Sequence, residues 1–158
     1  MDLDDTDPTT FGLFVNWLYT QKVLDADGEL PPCTEAINLW ILGDKILAPS
    51  LQNAAMIAID QCRVLALERR TWPFSKSILT SVWDKTTEGS KLRAYLVDFM
   101  VTHSGPLKSH AQYPPEMLMA LVNTLLQDRI NYESRMGGLW TSCIKPLEMY
   151  FVPVEVES

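Results

Sequence analysis

Two histidines and three cysteines are the side chains in this 158-residue chain best suited to catalysis or metal binding. His103 and His110 flank the turn-forming Ser104-Gly105-Pro106. A structural zinc site takes four Cys and His ligands, and Cys33, Cys62 and Cys143 stand at no helpful spacing from either histidine. Both therefore read as solvated loop histidines. The partners of a Ser-His-Asp triad can be distant in sequence, but the G-x-S-x-G elbow is missing. So are a Gly-rich phosphate loop and a dinucleotide fingerprint. Cys62 falls on the inward arc of a helical pattern and reads as a small core hydrophobe. Asp44 shares an arc with Ile37, Trp40, Ile41 and Leu47. A carboxylate there needs donors, which Lys45, a backbone cap or Trp40 would supply. Asp25, Asp27 and Glu29 form an acidic loop, without the ligand offsets of a calcium-binding EF-hand. The expectation is a chain with no catalytic residue, no cofactor and no metal.

Composition narrows the classes further. Within residues 1–29, seven carboxylates face Lys22 alone, so −6 of the total charge of −7 lies there. The remainder is nearly neutral, which disfavours direct nucleic-acid or anionic-membrane binding, since both need clustered Lys and Arg. No positively charged leader followed by an apolar run opens the sequence, and no stretch approaches 18 apolar residues. Three cysteines cannot all pair within the chain, and none forms a close knuckle or redox motif. An intracellular protein, cytoplasmic or nuclear, is expected. The 47% apolar content can fill a single-domain core.

The elements that must position these residues are helices. Asp7 and Pro8 make a helix start, with a carboxylate at the cap and proline in the first turn. Phe11, Phe14, Val15 and Leu18 then mark one helix face ending near Tyr19. After the loop 20–32, Thr34 caps the first of two paired helices running to Leu67 and separated at Ala48-Pro49. The second carries Leu51, Ala54, Ala55, Ala58, Ile59, Cys62 and Leu65 on one arc. Pro73 ends the hinge, and Ser75 caps a short helix lined by Ile78, Leu79, Val82 and Trp83. Ser90 caps another in which Leu92, Tyr95, Leu96, Phe99 and Met100 face inward. A long helix from Pro115 carries Leu118, Leu121, Val122, Leu125, Leu126 and Ile130, and Gly137-Gly138 stops it. The closing segment, with Val152, Val154 and Val156 alternating, has the pattern of a weak strand. The predicted fold class is mainly α, a helical bundle.

The order TTFGLFVNWLYTQKV, acidic loop, INLWILGDKILAPSLQNAAMIAI resembles the carboxy-terminal half of a fungal BTB/POZ domain. The family shows a phenylalanine-led helix ending in W-L-Y-T-G-K, then L-x-x-L-x-x-L-A-D-K-L-x-x-P-x-L-Q-N. Those features fall here on Phe11, Phe14, Trp17, Leu18, Tyr19, Thr20, Lys22 and Val23, then Leu39, Leu42, Asp44, Lys45, Pro49, Leu51, Gln52 and Asn53. Gln21 and Gly43 replace the family's Gly and Ala. The segment Ile78–Met100 resembles the helical extension that follows this domain in many fungal proteins. The resemblance implies residues 1–67 as a partial BTB/POZ-like helical region, 68–74 as a hinge, 75–138 as the extension and 139–158 as an irregular carboxy-terminal segment. The family's amino-terminal half, with most of its sheet and its usual dimer surface, has no counterpart here.

The function this implies is a non-enzymatic protein–protein interaction module, self-associating or acting as an adaptor. Alternatives are a truncated structural or non-functional fragment, and a substrate adaptor for a cullin-type ubiquitin ligase. A protein partner, a homo-oligomer or a cullin scaffold would bind through Phe11, Phe14, Trp17, Tyr19, Leu51 and Gln52, with Trp72 at the hinge as a further contact. Helices whose usual partners are missing should leave an apolar patch exposed, or cover it by self-association or with the helix 115–136.

Overall fold

The structure is a computed structural model, and it describes residues 7–103, 113–134 and 145–154, with the backbone alone for 128–134. The described residues form six α-helices, one 3-10 turn and no β-strand. The helices are α1 (Pro8–Thr20), α2 (Cys33–Lys45), α3 (Pro49–Glu68), α4 (Lys76–Lys85), α5 (Lys91–His103) and α6 (Pro115–Ser134). The fold is mainly α, a helical bundle. Histidine 110, Cys143 and Val156, together with Gly137-Gly138, lie outside the described residues.

Helix α2 is the centre. Ala36, Ile37, Leu39, Trp40, Ile41, Leu42 and Gly43 are all buried, so it is apolar around most of its circumference. A helix with no polar face must be covered on several sides. It packs on α1, α3 and α4, most closely on α3. Gly43 sets that approach: a Cβ there would stand 2.9 Å from Gln52 Cγ and 3.2 Å from the Gln52 backbone nitrogen. Gln52 in turn donates from Nε2 to Asp44 Oδ1 at 3.1 Å. Gln52, rather than Lys45 or Trp40, is thus the side-chain donor to Asp44. Trp40 Nε1 is buried without a hydrogen-bond partner.

The helix ends follow local chemistry. Asp7 accepts from the backbone N–H groups of Thr9 and Thr10 at 2.9 and 3.3 Å, and from the Thr10 hydroxyl. This is the expected cap of α1. Ser75 caps α4 through the Ile78 N–H. Two expected caps differ. Helix α2 starts at Cys33 behind Pro32 with no side-chain cap, so Thr34 lies inside the first turn. Ser90 precedes α5, but its Oγ is buried without a partner. Helices α2 and α3 end alike, each by a pair of bonds crossing from the turn back to the helix. Leu47 N–H reaches Asp44 O and Ala48 N–H reaches Gly43 O, while Arg70 reaches Leu67 O and Thr71 reaches Ala66 O. Both closures require a left-handed residue. Leu47 (φ 54) and Arg70 (φ 56) fill those places, and Gln21 (φ 57) does so after α1.

The inward faces of α4 and α5 follow the sequence pattern residue by residue. Arg93 joins the two helices at a helix C-terminus, where a cation is favoured. Its guanidinium donates to the carbonyls of Trp83 (2.6 Å) and Thr86 and to Thr86 Oγ1 (2.8 Å). It also lies over the Trp83 ring. Helix α6 packs on α5. Its main packing is thus on α5 rather than on α1–α3.

The segment 145–154 is a strap, not a strand. Its 3-10 turn, Leu147–Tyr150, leads into extended backbone held by side chains. Tyr150 donates to Asp98 Oδ2 at 2.7 Å, and Lys145 Nζ reaches the same oxygen at 2.9 Å. Val152 bonds through both backbone groups to Asn53 of α3. Val152 thus finds a side-chain amide in place of a neighbouring strand.

Candidate interaction surface

Helix α1 is apolar on two faces, and this decides where the surface lies. Leu13 and Trp17 are buried together with Thr10, whose hydroxyl is tied to the Asp7 cap. Phe11, Phe14, Val15 and Leu18 occupy an adjoining stripe at i, i+3, i+4 and i+7. In that stripe Phe11 is 43% and Leu18 50% exposed, and Phe14 and Val15 are half-buried. Phe14 meets Phe11 with the rings tilted at 56° and 6.2 Å between centres, and rests on the core beneath. The stripe that the sequence marks as one face of α1 is therefore turned largely to solvent, at Phe11 and Leu18 above all. The bulkier indole of Trp17 and the capped Thr10 take the inner side. Tyr19, 86% exposed, extends the surface at the end of the helix.

The seven residues expected to form a binding face separate accordingly. Phe11, Phe14 and Tyr19 come together on the outside of α1. Trp17, Leu51 and Gln52 are buried: Trp17 and Leu51 belong to the core, and Gln52 is committed to Asp44. Trp72 stands apart beyond the end of α3, 47% exposed, its ring tilted against Phe99 at 5.1 Å between centres. Sequence reasoning missed Leu18 as part of the binding face. It also placed Leu47 and Leu65 inward, whereas both are exposed. Leu47 turns out because the left-handed closure of α2 aims its side chain away from the helix pair. A second apolar stripe, Met119, Val122 and Leu126 with Leu125 beside it, faces outward on α6, leaving Met117 and Leu121 as the buried side. Proteins rarely expose contiguous apolar stripes of this kind without a partner for them.

Among the described residues, His103, Asp60, Tyr95 and Tyr150 are engaged in contacts within the fold. His103 ends α5, with its ring stacked on Phe99 and its Nδ1 bonded to Thr102 Oγ1 and Phe99 O. Asp60 accepts from Tyr95 OH and Arg63 Nε, both at 2.8 Å. Burial, then the charge and hydrogen bond of Asp60, push the Tyr95 hydroxyl far above the usual tyrosine value. Such a phenol serves as a donor and not as an acid. Burial and Asp98 push Tyr150 up in the same sense. A groove of about 690 Å³ lies between α5 and α6, bordered by Trp83, Arg93, Asp98, Glu116, Met119 and Lys145. Of its charged members, Arg93, Asp98 and Lys145 are already paired within the fold. Among the described residues no group of three metal-ligating side chains converges, and no helix is long and apolar enough to cross a membrane.

Comparison with family models, curated proteins and solved structures gives no match to this chain.

Proposed function

We propose that the chain is a non-enzymatic protein–protein interaction module of the BTB type, docking through the outer stripe of α1. The observation that carries this reading is the double-faced helix: Phe11, Phe14, Val15 and Leu18 stand beside an already filled core face. A helix-in-groove partner reads such a pattern as anchors at i, i+3, i+4 and i+7. The sequence resemblance to the carboxy-terminal half of fungal BTB/POZ domains supports the same class. So does the close α2–α3 pair, in which the family-like Asp44 and Gln52 bond to each other.

A second copy of the chain is the first partner to test, because an apolar stripe can serve both sides of a two-fold interface. Light scattering on the chain should give a mass above the 17.9 kDa monomer. Phe11→Glu with Leu18→Glu should return it to the monomer while leaving its near-ultraviolet circular dichroism unchanged. A folded monomer for the parent chain would remove self-association and leave a heterologous partner. A stable oligomer unaffected by both glutamates would overturn the assignment of the stripe.

A further inference from the structure

The groove of about 690 Å³ between α5 and α6 has the dimensions of a small-molecule site. Ala94, Val97 and Asp98 follow its α5 wall at the spacing of one helix face, and Glu116, Met119, Ala120 and Asn123 do so on α6. The short side chains of Ala94 and Ala120 keep the walls apart, and most of the exposed lining is apolar. No residue of α1 lines this groove, so it is separate from the docking stripe proposed above. Charge decides what such a groove can hold. Arg93 is committed to the carbonyls of Trp83 and Thr86, where the negative end of α4 offsets its charge. Lys145 is paired with Asp98 at 2.9 Å. Glu88 and Glu116 are exposed at the groove, and neither carboxylate has an ion pair or hydrogen bond with any of the described residues. The cations of the lining are thus taken, and two carboxylates are free.

We propose that this groove binds an organic amine, a protonated ammonium group carried on an aromatic or branched aliphatic body. The body lies against Ala94, Val97 and Met119, where removal of apolar surface from water drives binding. Met119 is unbranched and exposed, and it adjusts to the shape of that body. The ammonium stays at the rim beside Glu88 and Glu116. It keeps part of its hydration there and avoids the desolvation cost of a buried ion. Exposed ion pairs are individually weak. The two carboxylates therefore select the sign of the ligand's charge, while the apolar walls supply most of its affinity. An anion of the same shape meets repulsion at the rim and finds no free cation in the lining among the described residues.

The test is a fluorescence titration of the full chain with three dansyl probes that share one aromatic body. Dansylcadaverine is cationic, dansylamide neutral and dansylglycine anionic. Dansylcadaverine should bind about fivefold more tightly than dansylamide, with dansylglycine weakest. Added salt should narrow those differences. Glu88→Gln with Glu116→Gln should bring dansylcadaverine to the level of dansylamide. Ala94→Leu fills the groove at an exposed position and should weaken all three, whereas Phe11→Glu on α1 should leave them unchanged. No binding of dansylcadaverine, equal binding of the three probes, or binding that survives Ala94→Leu unchanged would overturn the proposal. The probe series on the unaltered chain decides the matter even if a variant does not fold.

Discussion

Asn53 and Val152 hold each other through two hydrogen bonds across nearly one hundred residues of chain. Asn53 Nδ2 donates to the Val152 carbonyl at 2.9 Å, and the Val152 N–H donates to Asn53 Oδ1 at 2.6 Å. One amide side chain thus takes the place of a strand neighbour and fastens the carboxy-terminal strap to α3. Asn53→Ala leaves a part-buried N–H and C=O without partners, a loss of about 1–3 kcal/mol. Urea denaturation should show it. Asn53→Asp, which places a carboxylate oxygen against the Val152 carbonyl, should cost at least as much.

Leu47 carries an avoidable conformational cost. Its φ of 54° lies in the left-handed region and its side chain is 86% exposed, so burial returns little. An L-residue there costs about 1–2 kcal/mol, from which the greater unfolded-state freedom of glycine must be subtracted. Leu47→Gly should therefore raise the unfolding free energy by about 0.5–1 kcal/mol. The same substitution removes an exposed apolar side chain and should lower nonspecific aggregation.

Gly43 tests the opposite case. In a free helix Gly→Ala gains about 1 kcal/mol. Here the added Cβ meets Gln52 Cγ at 2.9 Å, and that side chain is buried and bonded to Asp44. Overpacking of this kind costs about 1–3 kcal/mol. Gly43→Ala should lower the denaturation midpoint, whereas Gly12→Ala, with open space around its Cβ position, should raise it.

Asp7 gives the fold an acid-sensitive contribution. The Thr10 hydroxyl, followed by the Thr9 backbone N–H, holds its carboxyl below the usual 3.8. Folded chain then binds this proton less readily than unfolded chain, so the contribution is fully present above that value. It is lost as pH falls through the lower folded-state pKa. Asp7→Ala should cost about 1 kcal/mol at neutral pH, and its deficit relative to the parent should shrink on acidification. Thermal melts from neutral pH downward would measure both.

How much was legible in the sequence depends on whether a residue's environment is local. The caps Asp7 and Ser75, the break at Pro49 and the inward faces of α4 and α5 rest on spacing within one helix, and the structure follows them. The orientation of α1 does not. It has apolar residues at both Leu13/Trp17 and Phe11/Phe14/Val15/Leu18, and only the position of α2 selects which stripe is buried. Leu47 was misplaced because helical periodicity was extended through a left-handed closure two residues too far. The Cys62 Sγ bond to the Pro31 carbonyl had no local spacing to announce it, since it arises from the packing of α3 on the start of α2. Asn53–Val152 is likewise a tertiary pairing.

The central claim is that the outer stripe of α1 meets another protein. It is tested most directly by replacing Leu18 with the photo-crosslinking residue p-benzoylphenylalanine in the full chain, expressed in cells and irradiated. The account predicts a discrete protein adduct at position 18, absent from the exposed control position Glu88 and lost when Phe11→Glu is added. A folded chain that gives no adduct at position 18, or one that survives Phe11→Glu unchanged, would contradict it.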